Sequence, residues 1–278
     1  MRTLSITSPA NPIIKEALKI RERRGKFRNA SFLIEGPHLV DMALASPRVA
    51  LEKVFFTEAF AQKREGRGLL ERLRRSGNFT KDGALIEISM QILSLLADTK
   101  TPQGIVAIVA YSQSALDSVV FKAEPFIVVV DGVQDPGNLG AIIRASDAAG
   151  ADAVALLPGA CDAFMHKTVR ATAGSLFTIP LVHAGVDDLV RYLAAKEITL
   201  VVADVRAKTS VFDYDFRRPT ALAFGNEAHG AGEALMQSAA GLVKIPLLGR
   251  AESLNVAQSA SVCLYEAVRQ RYYCGGKV

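Results

Sequence analysis

Phe126-Ile-Val-Val-Val-Asp-Gly-Val-Gln-Asp-Pro-Gly-Asn-Leu-Gly140 is the stretch that decides the fold. Its first five residues are apolar and mostly β-branched, which predicts a strand buried on both faces. Two glycines and a proline then predict a tight turn, and 140–149 reads as a helix. The same unit recurs downstream. Predicted strands at 153–157, 176–179, 199–203, 221–224 and 242–245 alternate with predicted helices at 186–196, 231–238 and 254–271. Apolar strands alternating with helices imply a parallel sheet covered on both faces. Ligands of such sheets sit beyond the carboxyl ends of the strands. The loops after Val130, Phe224 and Ile245 are therefore where a site should be sought.

Upstream the pattern differs. Residues 13–24 have helical periodicity, with Ile13, Ala17, Leu18 and Ile20 among basic residues. Strands are predicted at 32–34, 54–57, 84–88 and 105–111, and helices at 39–44, 69–75 and 90–97. This gives a small α/β domain over 1–112, a linker at 113–124, and the parallel-sheet domain from 125 to 278. A chain of 278 residues, half of them apolar, has enough material for two cores.

Charge separates the same two parts. Residues 1–112 hold 18 Lys/Arg against 11 Asp/Glu, whereas 113–278 hold 15 against 17. One basic cluster is Lys15, Lys19, Arg21, Arg23, Arg24, Lys26 and Arg28. A second is Lys63, Arg64, Arg67, Arg72, Arg74 and Arg75. The asymmetry suggests a polyanion-binding module beside a neutral working domain; the plainer reading is a pair of solvated helix faces. The three cysteines form no disulfide framework, and four scattered histidines lack metal-ligand spacing. The first residues are too polar for a signal peptide, and no 18-residue apolar run exists. A cytoplasmic protein with no membrane partner and no metal is expected.

Each loop carries polar residues in a tight setting. The first, Asp131–Gly140, places Asn138 near the start of the following helix, with Arg144 six residues on. It lacks the G-x-G-x-x-G pattern of nicotinamide enzymes. The second, Gly225-Asn-Glu-Ala-His-Gly230, places Gly225 directly after a strand, where a ligand can approach the backbone. Glu227 could accept hydrogen bonds there from helix N–H groups or from a substrate, and His229 reads as an incidental loop residue. The third, Lys244-Ile-Pro-Leu-Leu-Gly-Arg-Ala-Glu-Ser-Leu-Asn-Val256, presents Ser253 and Asn255 at a helix start. Ser253 is the expected N-cap. Ile245, Leu247 and Leu254 could form a dry slot of the kind a purine ring needs. On these loops alone an ordinary nucleotide enzyme also remains open.

In this order and spacing, the three loops resemble motifs 1, 2 and 3 of the SpoU-type (TrmH) RNA ribose methyltransferases of the SPOUT superfamily. Leu264-Tyr-Glu-Ala-Val-Arg269 is similar to the family's terminal helix. Asn11-Pro12, Lys15 and Phe32-Leu-Ile-Glu-Gly36 resemble its auxiliary RNA-binding domain, whose fold is like that of a ribosomal protein. Ala145, Ala149 and Ala257-Gln258-Ser259 depart from the family's usual residues, while the polar motif residues remain.

The resemblance implies an α/β-knot methyltransferase domain with a deep trefoil knot and a homodimer in which motif 1 of one subunit helps complete the partner's site. It implies S-adenosylmethionine bound by Gly225, Ile245 and Leu254, with Phe224, Leu247, Asn255 and Ala257 around them. It implies transfer of a methyl group to a ribose 2′-oxygen, with Arg144 catalytic and Asn138, Glu227, Ser253 and Asn255 orienting the ribose and its phosphate. RNA contacts fall on Asn11, Lys15, Arg21, Arg23, Arg24 and Arg28. With aromatics at 7% and no Trp, the first domain is expected to read shape and phosphates. Ribosomal RNA is the favoured substrate and transfer RNA the second. A non-catalytic RNA-binding assembly protein is the reading from another class.

Overall fold

The structure, a computed structural model, describes residues 3–22, 31–112 and 114–273. The chain forms two compact units: Met1–Ser112 with Phe164–Thr178, and Gln113–Ala163 with Ile179–Val278.

The first half runs β1 (Thr3–Ile6), α1 (Pro12–Glu22), β2 (Ser31–Glu35), α2 (Pro37–Ala45), β3 (Val49–Phe56), α3 (Glu58–Gln62), α4 (Arg64–Arg75), β4 (Phe79–Ile88), α5 (Met90–Leu96) and β5 (Ile105–Tyr111). Its five strands form a mixed sheet in the order β1-β4-β3-β5-β2, with β5 antiparallel to both neighbours. Side chains alternate across a strand, so the sheet has two faces to bury. Leu33, Phe55, Ile86, Ile88, Val106 and Ile108 join Ile14 and Ala17 of α1 and Ile92, Leu93 and Leu96 of α5 in one core. The alternate residues Ile34, Val54, Phe56, Leu85, Ala107 and Val109 are buried on the other face. There α2 packs on β2, β3, β5 and α4.

The second half runs β6 (Phe126–Val130), α6 (Pro136–Ala148), β7 (Ala153–Leu156), α7 (His166–Ala171), β8 (Leu181–His183), α8 (Val186–Ala195), β9 (Thr199–Ala203), β10 (Thr209–Ser210), β11 (Thr220–Phe224), α9 (Glu233–Ser238), β12 (Gly241–Lys244) and α10 (Val256–Val268). The seven strands are all parallel, in the order β10-β12-β9-β11-β6-β7-β8. One face packs Ile127, Val129, Leu200, Val202, Ala221 and Ala223 against Leu189, Leu193 and Leu235 of α8 and α9. Elsewhere in the unit α6 packs on α10, burying Leu139, Ile142, Ile143, Ala260, Leu264 and Ala267. A π turn at Arg269–Tyr273 follows α10. Its Arg271 guanidinium lies 4.6 Å from the Phe126 ring centroid and donates to the carbonyls of Phe216 (2.7 Å), Glu124 (2.8 Å) and Arg218 (2.7 Å). This anchors the end of α10 beside the start of β6 and leaves its beginning at the third loop.

Several expectations need correction. The strand expected at 176–179 is a short 3₁₀ turn, Ser175–Phe177, and the strand comes later, at Leu181–His183. The cause is that Phe164–Thr178 packs in the first unit. Phe164 stacks on Phe32 with ring centroids 4.9 Å apart, and the Ser46 hydroxyl donates to the Phe177 carbonyl (2.7 Å). Leu176 and Phe177 are buried in that setting rather than in a sheet. Gly174 sits at φ +100°, where any side chain is strained, and a Cβ there would also displace the Met42 side chain, whose sulfur lies 2.1 Å from that position. The helix after the first loop starts at Pro136 rather than at 140, because Asp135 caps it by accepting from the Asn138 N–H (2.9 Å).

Candidate active site at the strand carboxyl ends

The chain passes from β6 outward through β7 and β8, then crosses to build β9, β11 and β12 on the other side. The loops after β6 and β11 therefore leave the sheet at a switch point, where parallel sheets open a crevice. Backbone geometry closes the second loop tightly. Asn226 and Gly230 exchange two backbone hydrogen bonds of 2.9 Å each. The Asn226 carboxamide accepts from the N–H groups of Ala228 (2.9 Å) and His229 (3.1 Å) and donates to the Gly132 carbonyl (2.8 Å). Asp131 accepts from the Gly232 N–H at 2.6 Å. A Cβ at Gly225 would lie 2.1 Å from the Ala231 nitrogen and 2.2 Å from the Gly230 carbonyl carbon, so only glycine permits this turn.

Glu227 joins the loops. Its carboxylate accepts from the backbone N–H of Gln134 (3.3 Å) and Asp135 (3.4 Å) and from the Asn138 amide (3.0 Å). The Asn138 carbonyl oxygen accepts in turn from the Asn255 amide at 3.0 Å. Two side-chain bonds thus connect three segments far apart in sequence. Burial pushes the Glu227 carboxyl up, but the hydrogen bonds from Asn138 and the loop backbone outweigh it. The group is held below the ordinary carboxylate range.

The third loop meets this junction at the start of α10. Asn255, not Ser253, is the N-cap. Its side-chain oxygen accepts from the N–H groups of Ala257 (2.9 Å) and Gln258 (3.4 Å). Ser253 is exposed, two residues earlier. An Asn cap leaves its amide nitrogen free for a second bond, which a serine hydroxyl two residues away could not supply to Asn138.

Around the junction lies a cavity of about 610 Å³, lined by the ends of the adjacent strands β12, β9 and β11. Phe224, Ile245, Leu247 and Leu254 supply its apolar wall, and Gly225, Glu227, Ser253 and Asn255 are at its lining. Leu254 is 37% exposed although large and apolar, so its side chain is open to a ligand. Asn138 belongs to the junction but not to the lining, and two further expected residues are elsewhere. Arg144 is exposed on α6 and outside the lining. Ala257 is buried in α10, its N–H taken by the cap.

Sequence reasoning missed one wall. Asp204 and Arg206 follow β9 and line the cavity. The Asp204 carboxylate, 5% exposed, accepts from Arg206 at Nε (3.0 Å), Nη2 (2.7 Å) and the backbone N–H (2.7 Å). Those bonds lower the Asp204 pKa, against the opposing effect of burial. The available signal was topological: β9 stands between β11 and β12, so the turn after Ala203 must face the same crevice.

An apolar wall for a purine, a glycine turn with no side chain, and an ionised carboxylate suited to a hydroxyl or cationic group together fit S-adenosylmethionine. Of the expected RNA contacts, Lys15 is exposed on α1 and Asn11 precedes that helix, accepting from the Ile13 N–H (2.9 Å). Arg21 donates to the Leu95 carbonyl at 2.6 Å near the end of α5. Arg23, Arg24 and Arg28 lie outside the described residues.

Comparison with known proteins places these features in a family. Residues 125–265 match the SpoU rRNA Methylase family, and residues 11–107 match an MRM3-like substrate binding domain. The chain is 32% identical to the 23S rRNA (guanosine(2553)-2′-O)-methyltransferase RlmP of Bacillus subtilis, covering 94% of this chain and 97% of that protein. An rRNA methyltransferase from Sinorhizobium meliloti superposes with a TM-score of 0.84 at 29% identity, covering 97% and 98% of the two chains. AviRb from Streptomyces viridochromogenes, solved with the cofactor AdoMet, gives a TM-score of 0.83 at 30% identity, covering 94% and 98%.

Proposed function

This chain belongs to the SpoU rRNA Methylase family, and we propose that it transfers a methyl group from S-adenosylmethionine to a ribose 2′-hydroxyl of ribosomal RNA. The observation that carries the reading is the hydrogen-bonded junction of Glu227, Asn138 and Asn255 beside a cavity with an apolar wall. The B. subtilis relative, matched over nearly its full length, is named for 23S rRNA, which favours ribosomal over transfer RNA as the substrate class. A cytoplasmic setting is part of the proposal, supported by that substrate class.

When bound, S-adenosylmethionine supplies an electrophilic methyl group, which leaves sulfur as it joins the ribose oxygen. The protein's work is to position the reactants and exclude water. Gly225, Ile245 and Leu254, with Phe224 and Leu247, hold the cofactor. Asn138, Ser253 and Asn255 orient the ribose and its phosphate. Glu227 has both carboxylate oxygens engaged by donors and its pKa lowered. It is a poor proton acceptor and acts by holding the loops. The Arg144 guanidinium stabilises the developing oxyanion. The hydroxyl proton passes to a neighbouring phosphate or water.

A homodimer is part of the proposal. A second copy that brings its motif 1 to this cavity accounts for Arg144 standing exposed outside its own cavity's lining. The trefoil knot is part of it too, supported by the return of the third loop to the first at Asn255 and Asn138.

The experiment is incubation of the purified protein with methyl-labelled S-adenosylmethionine and unmodified total RNA, followed by separation of the RNA species. Label in one ribosomal species, at a single nucleotide resistant to alkaline cleavage, is the expected result. Label confined to transfer RNA would overturn the substrate class, and absence of both label and cofactor binding would overturn the enzyme.

A further inference from the structure

Seven charged side chains occupy α4, and their arrangement is not that of a generic solvated helix. Gly66, Leu69, Leu70 and Leu73 are buried and fix which side of the helix faces the sheet. A Cβ at Gly66 would lie 1.9 Å from the Phe60 carbonyl oxygen, so the start of α4 is pressed against α3 and cannot roll. Arg64, Arg67, Glu71, Arg74 and Arg75 are all exposed. Their spacing is i, i+3, i+7, i+10 and i+11, which places them in one stripe of an α-helix. The stripe is about 17 Å long, from eleven rises of 1.5 Å. It carries four guanidinium groups against one carboxylate, Glu71; Glu65 and Arg72 lie to the side. Arg72 is paired with Asp41 at 2.7 Å, whereas among the described residues no ion pair involves Arg64, Arg67, Arg74 or Arg75. Arg67 donates to the Gln62 carbonyl at 3.3 Å.

The other basic cluster is differently placed. α1 packs on the opposite face of the five-stranded sheet from α4, and its Arg21 is engaged by the Leu95 carbonyl. One RNA backbone cannot lie along both faces at once. Guanidinium groups match phosphate oxygens in planar, bidentate geometry, and a row of them on a rigid helix meets a row of phosphates without ordering flexible chain.

We propose that the Arg64, Arg67, Arg74 and Arg75 stripe of α4 is the surface on which this protein seats the phosphate backbone of its RNA substrate. The inference rests on the RNA-modifying reading above and adds the face that holds the RNA. Glu71 lies within the stripe and divides it into an Arg64/Arg67 pair and an Arg74/Arg75 pair, so four phosphate contacts in two separate groups are expected rather than one continuous row.

The test uses the full-length chain and an unmodified large-subunit ribosomal RNA transcript, with affinity measured across a salt series. Each lost phosphate contact lowers the slope of log affinity against log salt by roughly 0.7–0.9. The variant R64Q/R67Q/R74Q/R75Q is expected to lower it by roughly 3 and to weaken binding at 0.15 M salt about tenfold or more. KM for RNA rises with it, while S-adenosylmethionine affinity and kcat at saturating RNA stay within about twofold, because α4 lies outside the catalytic loops. The half variants R64Q/R67Q and R74Q/R75Q each give about half the slope change, which also separates the effect from a folding defect of the quadruple variant. An unchanged slope in the quadruple variant overturns the proposal. So does full loss of binding in K15Q/K19Q with none in the α4 variants. If the wild-type chain methylates no RNA, the functional reading fails, and the salt series still reports on α4.

Discussion

The two sheets of this protein bury similar side chains and serve function in opposite ways. In the seven-stranded sheet every strand runs the same direction, so all carboxyl ends, with the loops that follow them, collect along one edge. Functional groups there converge from residues 89 and 117 positions apart onto two hydrogen bonds. In the five-stranded sheet β5 runs against its neighbours, and no single edge gathers the loops. The groups proposed to hold RNA there are charges on a helix surface, most of them about one turn from the next. The first arrangement has tolerances of a few tenths of an ångström; the second has those of a Coulomb field screened over about 8–10 Å. Single substitutions should therefore be severe in the parallel unit and mild on the basic helices, where several must be combined.

The severest is expected at Arg144. Removing one stabiliser of a developing oxyanion costs about 10²–10³ in kcat, and Arg144→Ala should show a loss of that size in single-turnover methyl transfer. Cofactor affinity should stay within a few-fold, since Arg144 is outside the cavity lining. Loss of cofactor binding in parallel, seen by calorimetry, would break the division between a cofactor slot and a separate catalytic group.

Gly225→Ala comes next. The new methyl would stand 2.1–2.5 Å from backbone atoms of Gly230 and Ala231, and backbone cannot move aside as a flexible side chain can. Overpacking of this kind costs about 1–3 kcal/mol, equivalent to a five- to 150-fold weaker cofactor if the loop opens only when the ligand is absent. Titration of S-adenosylmethionine checks it. An unchanged affinity would show that the second loop does not need its closed form.

The contrast also explains what was legible in the sequence. The parallel sheet could be read because strands buried on both faces are apolar throughout or nearly so, as in Phe126–Val130 and, after its first residue, Thr220–Phe224. The three loops could be found because strand ends mark them. The Asp204–Arg206 wall was missed because an Asp-Val-Arg turn has no distinctive composition; only the position of β9 between β11 and β12 exposes it. The strand expected at 176–179 fails because local hydrophobicity reports that a residue is buried and not against what. Leu176 and Phe177 look like a strand and are buried in the first unit. Cap identity failed for a related reason. Ser253 and Asn255 have similar intrinsic preference as N-caps, and a long-range bond to Asn138 decides between them.

That last choice gives the finest test of the comparison. Asn255 has two duties in the structure: it caps α10 and holds Asn138. Ser253, two residues earlier, has neither, and it is exposed. Asn255→Ala should therefore lose a cap worth about 1 kcal/mol and lower the melting temperature of its unit by about 2–4 °C. Ser253→Ala should leave the melting temperature unchanged. Asn255→Ser restores an oxygen for the cap but no amide for Asn138, so it should recover most of the stability and less of the methyl transfer. If serine recovers both equally, the bond between the first and third loops is incidental, and the junction through Glu227 alone organises the site. If it recovers stability only, the tolerance that sets the parallel unit apart from the basic helices is that of one hydrogen bond.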